Sequence, residues 1–212
     1  MKKLLATAVA LLLVAGLTAQ ISFGPRAGFN LTNMSESIEG SGFSPDTDFR
    51  PGFQVGLVVN IPVLGDFLSI QPGLLFAQQG ARFNLEFFGT EMKSTISINY
   101  LQMPINAQLG FGVGNNARVL LQAGPYLGFA LGGNISIEIS GETNSEDIQF
   151  GSNPGEMNRF DLGVGFGAGV EFGRFQVGLG YNLGFANLSN EEATTTRNNG
   201  LALTVTYLFG GR

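Results

Sequence analysis

Between Phe160 and Phe185 the chain alternates large and small residues with scarcely a break, and that alternation constrains the fold more than any other feature. Phe160, Leu162, Val164, Phe166, Ala168, Val170 and Phe172 share one parity, while Asp161, Gly163, Gly165, Gly167, Gly169 and Glu171 share the other. A period of two belongs to an extended strand, whose side chains point alternately to opposite faces. After Gly173-Arg174 the pattern restarts, with Phe175, Val177, Leu179, Tyr181, Leu183 and Phe185 against Gln176, Gly178, Gly180, Asn182, Gly184 and Ala186. Two such runs joined by a two-residue link containing Gly predict a β-hairpin.

The same reading extends to both ends of the mature chain. Leu201 to Phe209 alternates, as do Val119 to Gly132, Leu101 to Leu109, Leu68 to Ala77, Phe53 to Ile61 and Phe23 to Leu31. With the central hairpin these make eight strands. Ile96 and Ile98 have the opposite parity to Leu101, which predicts a bulge near Tyr100.

The two faces decide the solvent. The apolar face is large and continues from strand to strand, while the opposite face carries mainly Gly, Asn and Gln. A soluble β-sandwich, the competing architecture, would turn its large residues into a shared core and place Lys, Glu and Thr outside. Only 13% of the residues are charged, against about 25% in an average soluble domain, and Lys93 is the only lysine beyond the first few residues. Large residues facing lipid and small or amide residues facing a narrow lumen fit a membrane β-barrel.

Met1 to Ala19 read as a secretory signal: Lys2 and Lys3 form the charged start, Leu4 to Leu17 the apolar stretch, and Leu17-Thr18-Ala19 the cleavage end. The apolar stretch is short for a membrane-spanning helix, the alternative reading. Loss of Lys2 and Lys3 leaves 9 basic residues of 11 against 16 acidic ones, moving the formal net charge from -5 to -7. The domain plan is therefore a signal peptide at 1–19 and a barrel domain at 20–212, all-β and up-and-down, with eight antiparallel transmembrane strands.

Linkers alternate in length. The short ones are Pro62 to Asp66, Gly110 to Asn116 and Gly173-Arg174; the long ones are Thr32 to Arg50, Gly80 to Thr95, Gly133 to Met157 and Asn187 to Gly200. Short periplasmic turns and long external loops characterise outer-membrane barrels, so both termini are expected in the periplasm. Aromatic residues gather near strand ends: Phe23, Phe67, Phe172, Phe175, Tyr207 and Phe209 at one rim, Phe29, Phe53, Phe76, Phe160 and Phe185 at the other. Two aromatic girdles are a mark of such barrels.

Several segments in this order and spacing resemble the PorT-like outer-membrane β-barrel family of Bacteroidota-type bacteria: Arg26 to Leu31 (RAGFNL), Leu68 to Gly80 (LSIQPGLLFAQQG), Tyr100 to Ile105 (YLQMPI), Ala123 to Gly128 (AGPYLG), Asp161 to Phe172 (DLGVGFGAGVEF) and the closing hairpin. The resemblance covers nearly all the mature chain and implies an eight-stranded outer-membrane barrel, some members of which serve protein secretion or gliding machinery. Two departures stand out. The family often has a carboxylate after the Pro of the third strand, where this chain has Gln71-Pro72-Gly73; and Gly210-Gly211-Arg212 follow Phe209, the aromatic residue that would serve as the insertion signal.

Catalytic chemistry finds little material. There is no His, so a Ser–His or Asp–His site is impossible, and no Cys for a thiol nucleophile or disulfide. Asp161 and Glu171 share a strand and a parity but lie about 33 Å apart at about 3.3 Å per residue, too far to work as a pair. The acidic runs Asp46-Thr47-Asp48 and Glu142 to Asp147 match no defined Ca²⁺ loop and read as solvated loops. The inward parity instead predicts a polar network filling the lumen, with Arg26, Asn60, Gln102, Asn106, Gln122, Asp161, Glu171 and Asn182 as its members and the amides pairing with one another.

These readings point to a non-enzymatic outer-membrane protein with a structural, scaffolding or secretion-associated role, without cofactor or metal. A passive small-solute channel is the alternative. The expected partners are outer-membrane lipid, the outer-membrane assembly machinery, and other envelope or secretion proteins met through the external loops; with no basic patch, nucleic acid is not among them. Ile135, Ile137 and Ile139, with Phe83, Leu85, Phe87 and Phe88, suggest hairpins extended beyond the membrane.

Overall fold

A computed structural model describes residues 21–38, 48–87, 90–114, 116–139, 141–191 and 193–210. The leader at 1–19 and the Asp46-Thr47 part of the first acidic run lie outside these residues. Ten strands appear in chain order: β1 (Ser22–Ile38), β2 (Asp48–Leu64), β3 (Leu68–Phe87), β4 (Thr90–Val113), β5 (Ala117–Ile139), β6 (Glu142–Asp147), β7 (Phe160–Phe172), β8 (Phe175–Gly184), β9 (Thr194–Tyr207) and β10 (Phe209–Gly210). Eight of them, β1 to β5 and β7 to β9, form a continuous antiparallel meander. The ring closes where β1 pairs β9, from Arg26 opposite Thr206 to Ile38 opposite Thr194. Leu208 interrupts the ladder, and β10 resumes it against Ser22 and Phe23. Closure satisfies the backbone groups that an open sheet would leave bare, the condition for strands to cross lipid, and it rules out the sandwich.

The alternation read from the sequence becomes the wall of the barrel. Leu57 is 63% exposed and Val58, its neighbour, 1%. Outward Leu, Val and Phe residues cover the flank, and aromatic rings pair along both rims: Phe23 with Phe209, Phe175 with Tyr207 and Phe67 with Phe111 at one, Phe53 with Phe76 and Phe129 with Phe160 at the other. Gly173 adopts φ +58° in the β7–β8 turn, a conformation that costs a residue with a Cβ. Gly124 has a different reason: a Cβ there would stand 1.9 Å from the Ile105 carbonyl oxygen of β4.

The long linker from Gly80 to Thr95 is strand apart from its tip, because β3 and β4 pair out to Phe87 and Thr90 and raise a hairpin beyond the barrel wall. Two expectations are corrected. The acidic run Glu142 to Asp147 is strand β6, folded back on β5 from Ile139 to Asn134, and not a loop. The irregularity at Tyr100 exists, but the extra residue is Leu131 on β5, since Asn99 faces Gly132 and Tyr100 faces Ala130. Strand β4 keeps its parity, so Ile98, Tyr100 and Gln102 all turn inward and are buried. The reversed apolar pattern marks an apolar stretch of lumen.

Candidate functional site in the barrel lumen

The lumen holds the buried chemistry, in two separate clusters. Near the short turns, Arg26 of β1 donates from Nε to Thr206 Oγ1 at 2.8 Å and from Nη2 to Gln71 Oε1. Gln71 donates to Gln176 Oε1 at 3.1 Å, and Gln176 donates to Glu171 Oε2 at 2.9 Å. Gln108 donates to both Gln71 and Gln122, each at 3.0 Å. Arg118 closes the end of the chain with an ion pair to Glu171 at 3.1 Å and a hydrogen bond to the Asp66 carbonyl. Thus Arg26, Gln122 and Glu171 fall into one network, with Gln71, Gln108 and Gln176 between them.

Gln71, Gln108, Arg118, Gln176 and Thr206 are the members that the predicted set lacked. Arg118 had a readable signal: it has the inward parity of Leu120 and Gln122, and it stands directly opposite Glu171. Asn60 lies apart, at the short-turn mouth, with its Oδ1 buried and without a partner among the described residues.

Toward the long loops the lumen turns apolar. Met34, Ala81, Ile98, Tyr100, Ala130 and Ile148 pack as one buried cluster, flanked by Phe83, Ile135, Phe150 and Met157. Several of these come from the chain between β6 and β7, which folds over the mouth. Ile148 N donates to Gly133 O at 2.9 Å, Asn158 N to Leu188 O at 2.9 Å, and Asn190 Nδ2 to the carbonyls of Gly151 and Glu156. Arg159 lies over the Phe150 ring, 5.0 Å from its centre. At the tip, Glu156 accepts from the backbone N–H and side-chain amide of Asn153, which holds its carboxyl below the usual glutamate range.

Asp161 sits beneath this cap, 0% exposed. Asn198 donates to its Oδ2 at 3.0 Å and Tyr126 at 3.4 Å, and Asn198 also reaches the Tyr100 hydroxyl at 3.2 Å. Between the clusters lies a cavity of about 50 Å³, and Gln102, Asn106 and Asn182 line it together with Gln122 and Arg26. A second cavity of about 70 Å³ opens at the short-turn mouth. Among the described residues no group of His, Cys, Asp and Glu is assembled to hold a metal ion, and no helix is long and apolar enough to cross a membrane.

Among solved structures, the chain is similar to Neisserial surface protein A, with 15% identity over 88% of this chain and 97% of that one at a TM-score of 0.43. It is similar to OprG from Pseudomonas aeruginosa, with 10% identity over 91% and 98% at a TM-score of 0.43. Ail, the attachment invasion locus protein of Yersinia pestis, is similar at 14% identity over 90% and 99% with a TM-score of 0.39. No match was found among curated proteins. The family described as outer membrane protein beta-barrel domain matches residues 18–190. With a closed eight-stranded ring, an apolar flank and a match over most of its length, the chain belongs to the outer-membrane β-barrel domain family and is an outer-membrane protein.

Proposed function

We propose that this protein is a closed, non-enzymatic barrel that serves the outer membrane as a scaffold or as part of a secretion-associated assembly, and does not act as a pore. The supporting observation is the filling of the lumen at both ends. The Arg118–Glu171 pair and its amides occupy the short-turn half, and the Met34, Ile98, Tyr100 and Ile148 cluster occupies the other. An eight-stranded ring leaves an interior just wide enough for side chains to fill. The chain also lacks the His on which nucleophilic sites of the Ser–His kind depend.

In this reading the short turns and both termini face the periplasm, Met1 to Ala19 is removed on export, and the β3–β4 and β5–β6 hairpins stand outside the cell. There they meet envelope or secretion proteins, the role suggested by the PorT-like resemblance. The alternative, a small-solute channel, draws on the two cavities along the axis. Single-channel recording separates the two. Mature protein refolded from detergent into a planar bilayer, on material with heat-modifiable gel migration, is expected to be silent; steady, reproducible conductance would establish the channel instead.

A further inference from the structure

The central cavity of about 50 Å³ carries one charge. Arg26 reaches it and is 6% exposed, while its other polar walls are the neutral side chains of Gln54, Gln102, Asn106, Gln122 and Asn182 with a few hydroxyls. No carboxylate lines it among the described residues. Among the described residues the hydrogen bonds run from Arg26 to Glu171 through two glutamines, Gln71 and Gln176, and Asp161 lies behind the Tyr126 hydroxyl. A guanidinium has five N–H donors. Those of Arg26 meet two neutral acceptors, Thr206 Oγ1 and Gln71 Oε1.

A charge taken out of water costs several kcal/mol unless it is paired and its hydrogen bonds are met. The amides beside Arg26 each offer two further N–H donors. The cavity therefore sets amide N–H groups and amide oxygens around one positive charge, with no carboxylate among its described walls. About 10–15 Å³ suffices for one water, so the space admits a single small ion with water but no bulky one. We propose that the cavity binds one monovalent inorganic anion, chloride in the first instance, held by Arg26 and the surrounding amide N–H groups.

A bound anion stabilises the folded barrel in proportion to its occupancy. In vesicles at fixed ionic strength, exchanging gluconate, too large for the cavity, for chloride is expected to raise the thermal midpoint. The rise should be about 3 °C for each tenfold excess over the dissociation constant. Chloride-35 magnetic resonance lines should broaden in the presence of the protein. Arg26→Gln should abolish both effects. Gly180→Val is the second variant and keeps Arg26 in place. A Cβ at Gly180 would lie 3.5 Å from the Phe166 carbonyl oxygen and 4.0 Å from the Gln122 amide nitrogen, so a larger side chain there fills the cavity without disturbing the wall. It too should lose the chloride response.

Equal midpoints in chloride and gluconate, or a chloride response that survives in Gly180→Val, would overturn the site, leaving water as the only occupant. Conductance is read independently: an open channel that passes chloride without chloride-dependent stability would fail both the closed-barrel reading and this one, whereas a silent barrel without the response would fail this one alone.

Discussion

In the short-turn half of the lumen, Arg26, Gln71, Gln176, Glu171 and Arg118 form one run of hydrogen bonds, whereas in the long-loop half Met34, Ile98, Tyr100 and Ile148 exclude water by packing. The contacts between neighbouring strands are written in the register, and Gln71 of β3 joins them across the lumen by accepting from Arg26 and donating to Gln176. Arg26 stands opposite Thr206, Arg118 opposite Glu171, Gln176 opposite Glu171 and Gln108 opposite Gln122, so pairing the strands delivers the partners. The other half is assembled across the lumen. Asn198 of β9 reaches Tyr100 of β4 and Asp161 of β7, and Ile148 arrives from the chain beyond β6. One end is therefore fixed by the barrel wall, while the other also needs its loops in place.

The largest effect should come from breaking the registered half. Glu171→Leu leaves the Arg118 guanidinium without its carboxylate and Gln176 without its acceptor, and removing one member of a largely buried charged pair costs about 4 kcal/mol. Urea unfolding of the barrel in lipid vesicles measures this loss. The double variant Glu171→Leu with Arg118→Met removes both charges of the pair and should recover more than half of it. A cost below about 1 kcal/mol for the single variant, the range of exposed pairs, would mean that the network is decorative.

Ile98→Ala probes the packed half. Ile98 is 0% exposed, and trimming a fully buried Ile to Ala costs about 3 kcal/mol through lost transfer energy and the cavity left behind. Because the cap rests on this cluster, the same variant should speed protease cleavage between residues 148 and 159 at concentrations that leave the wall intact. Equal cleavage in both proteins would show that the loops hold themselves closed without the plug.

Most of the wall was legible from alternation alone, because every outward residue answers to one solvent and every inward one to another. Arg26, Gln122 and Glu171 were readable for the same reason, and Arg118 would have been, had the strand been begun at Ala117, where β5 starts, and not at Val119. The apolar plug was not legible. Ile96 and Ile98 looked like a parity error because an inward Ile in a polar lumen makes sense only once Ile148 and Met157 descend on it from the loops. Likewise β6 read as a solvated run, since its six exposed residues carry no alternation and its strand form comes from pairing with β5. What the sequence hides is whatever depends on contacts between segments far apart along the chain.

The smallest effect sharpens the contrast at the cap itself. Glu156 is held below the usual glutamate value of 4.5 by the Asn153 backbone N–H and, next, by its side-chain amide. A carboxyl whose folded pKa is depressed stabilises the fold fully above its unfolded value and loses that contribution as pH falls through the folded one. The turn from Asn153 to Met157 should therefore loosen only below about pH 4.5. Amide hydrogen exchange of residues 153–157, followed from neutral pH downward, reads this directly. Glu156→Gln should show faster exchange at neutral pH and no further acid step. An acid step that persists in the variant would show that Glu156 is not its origin.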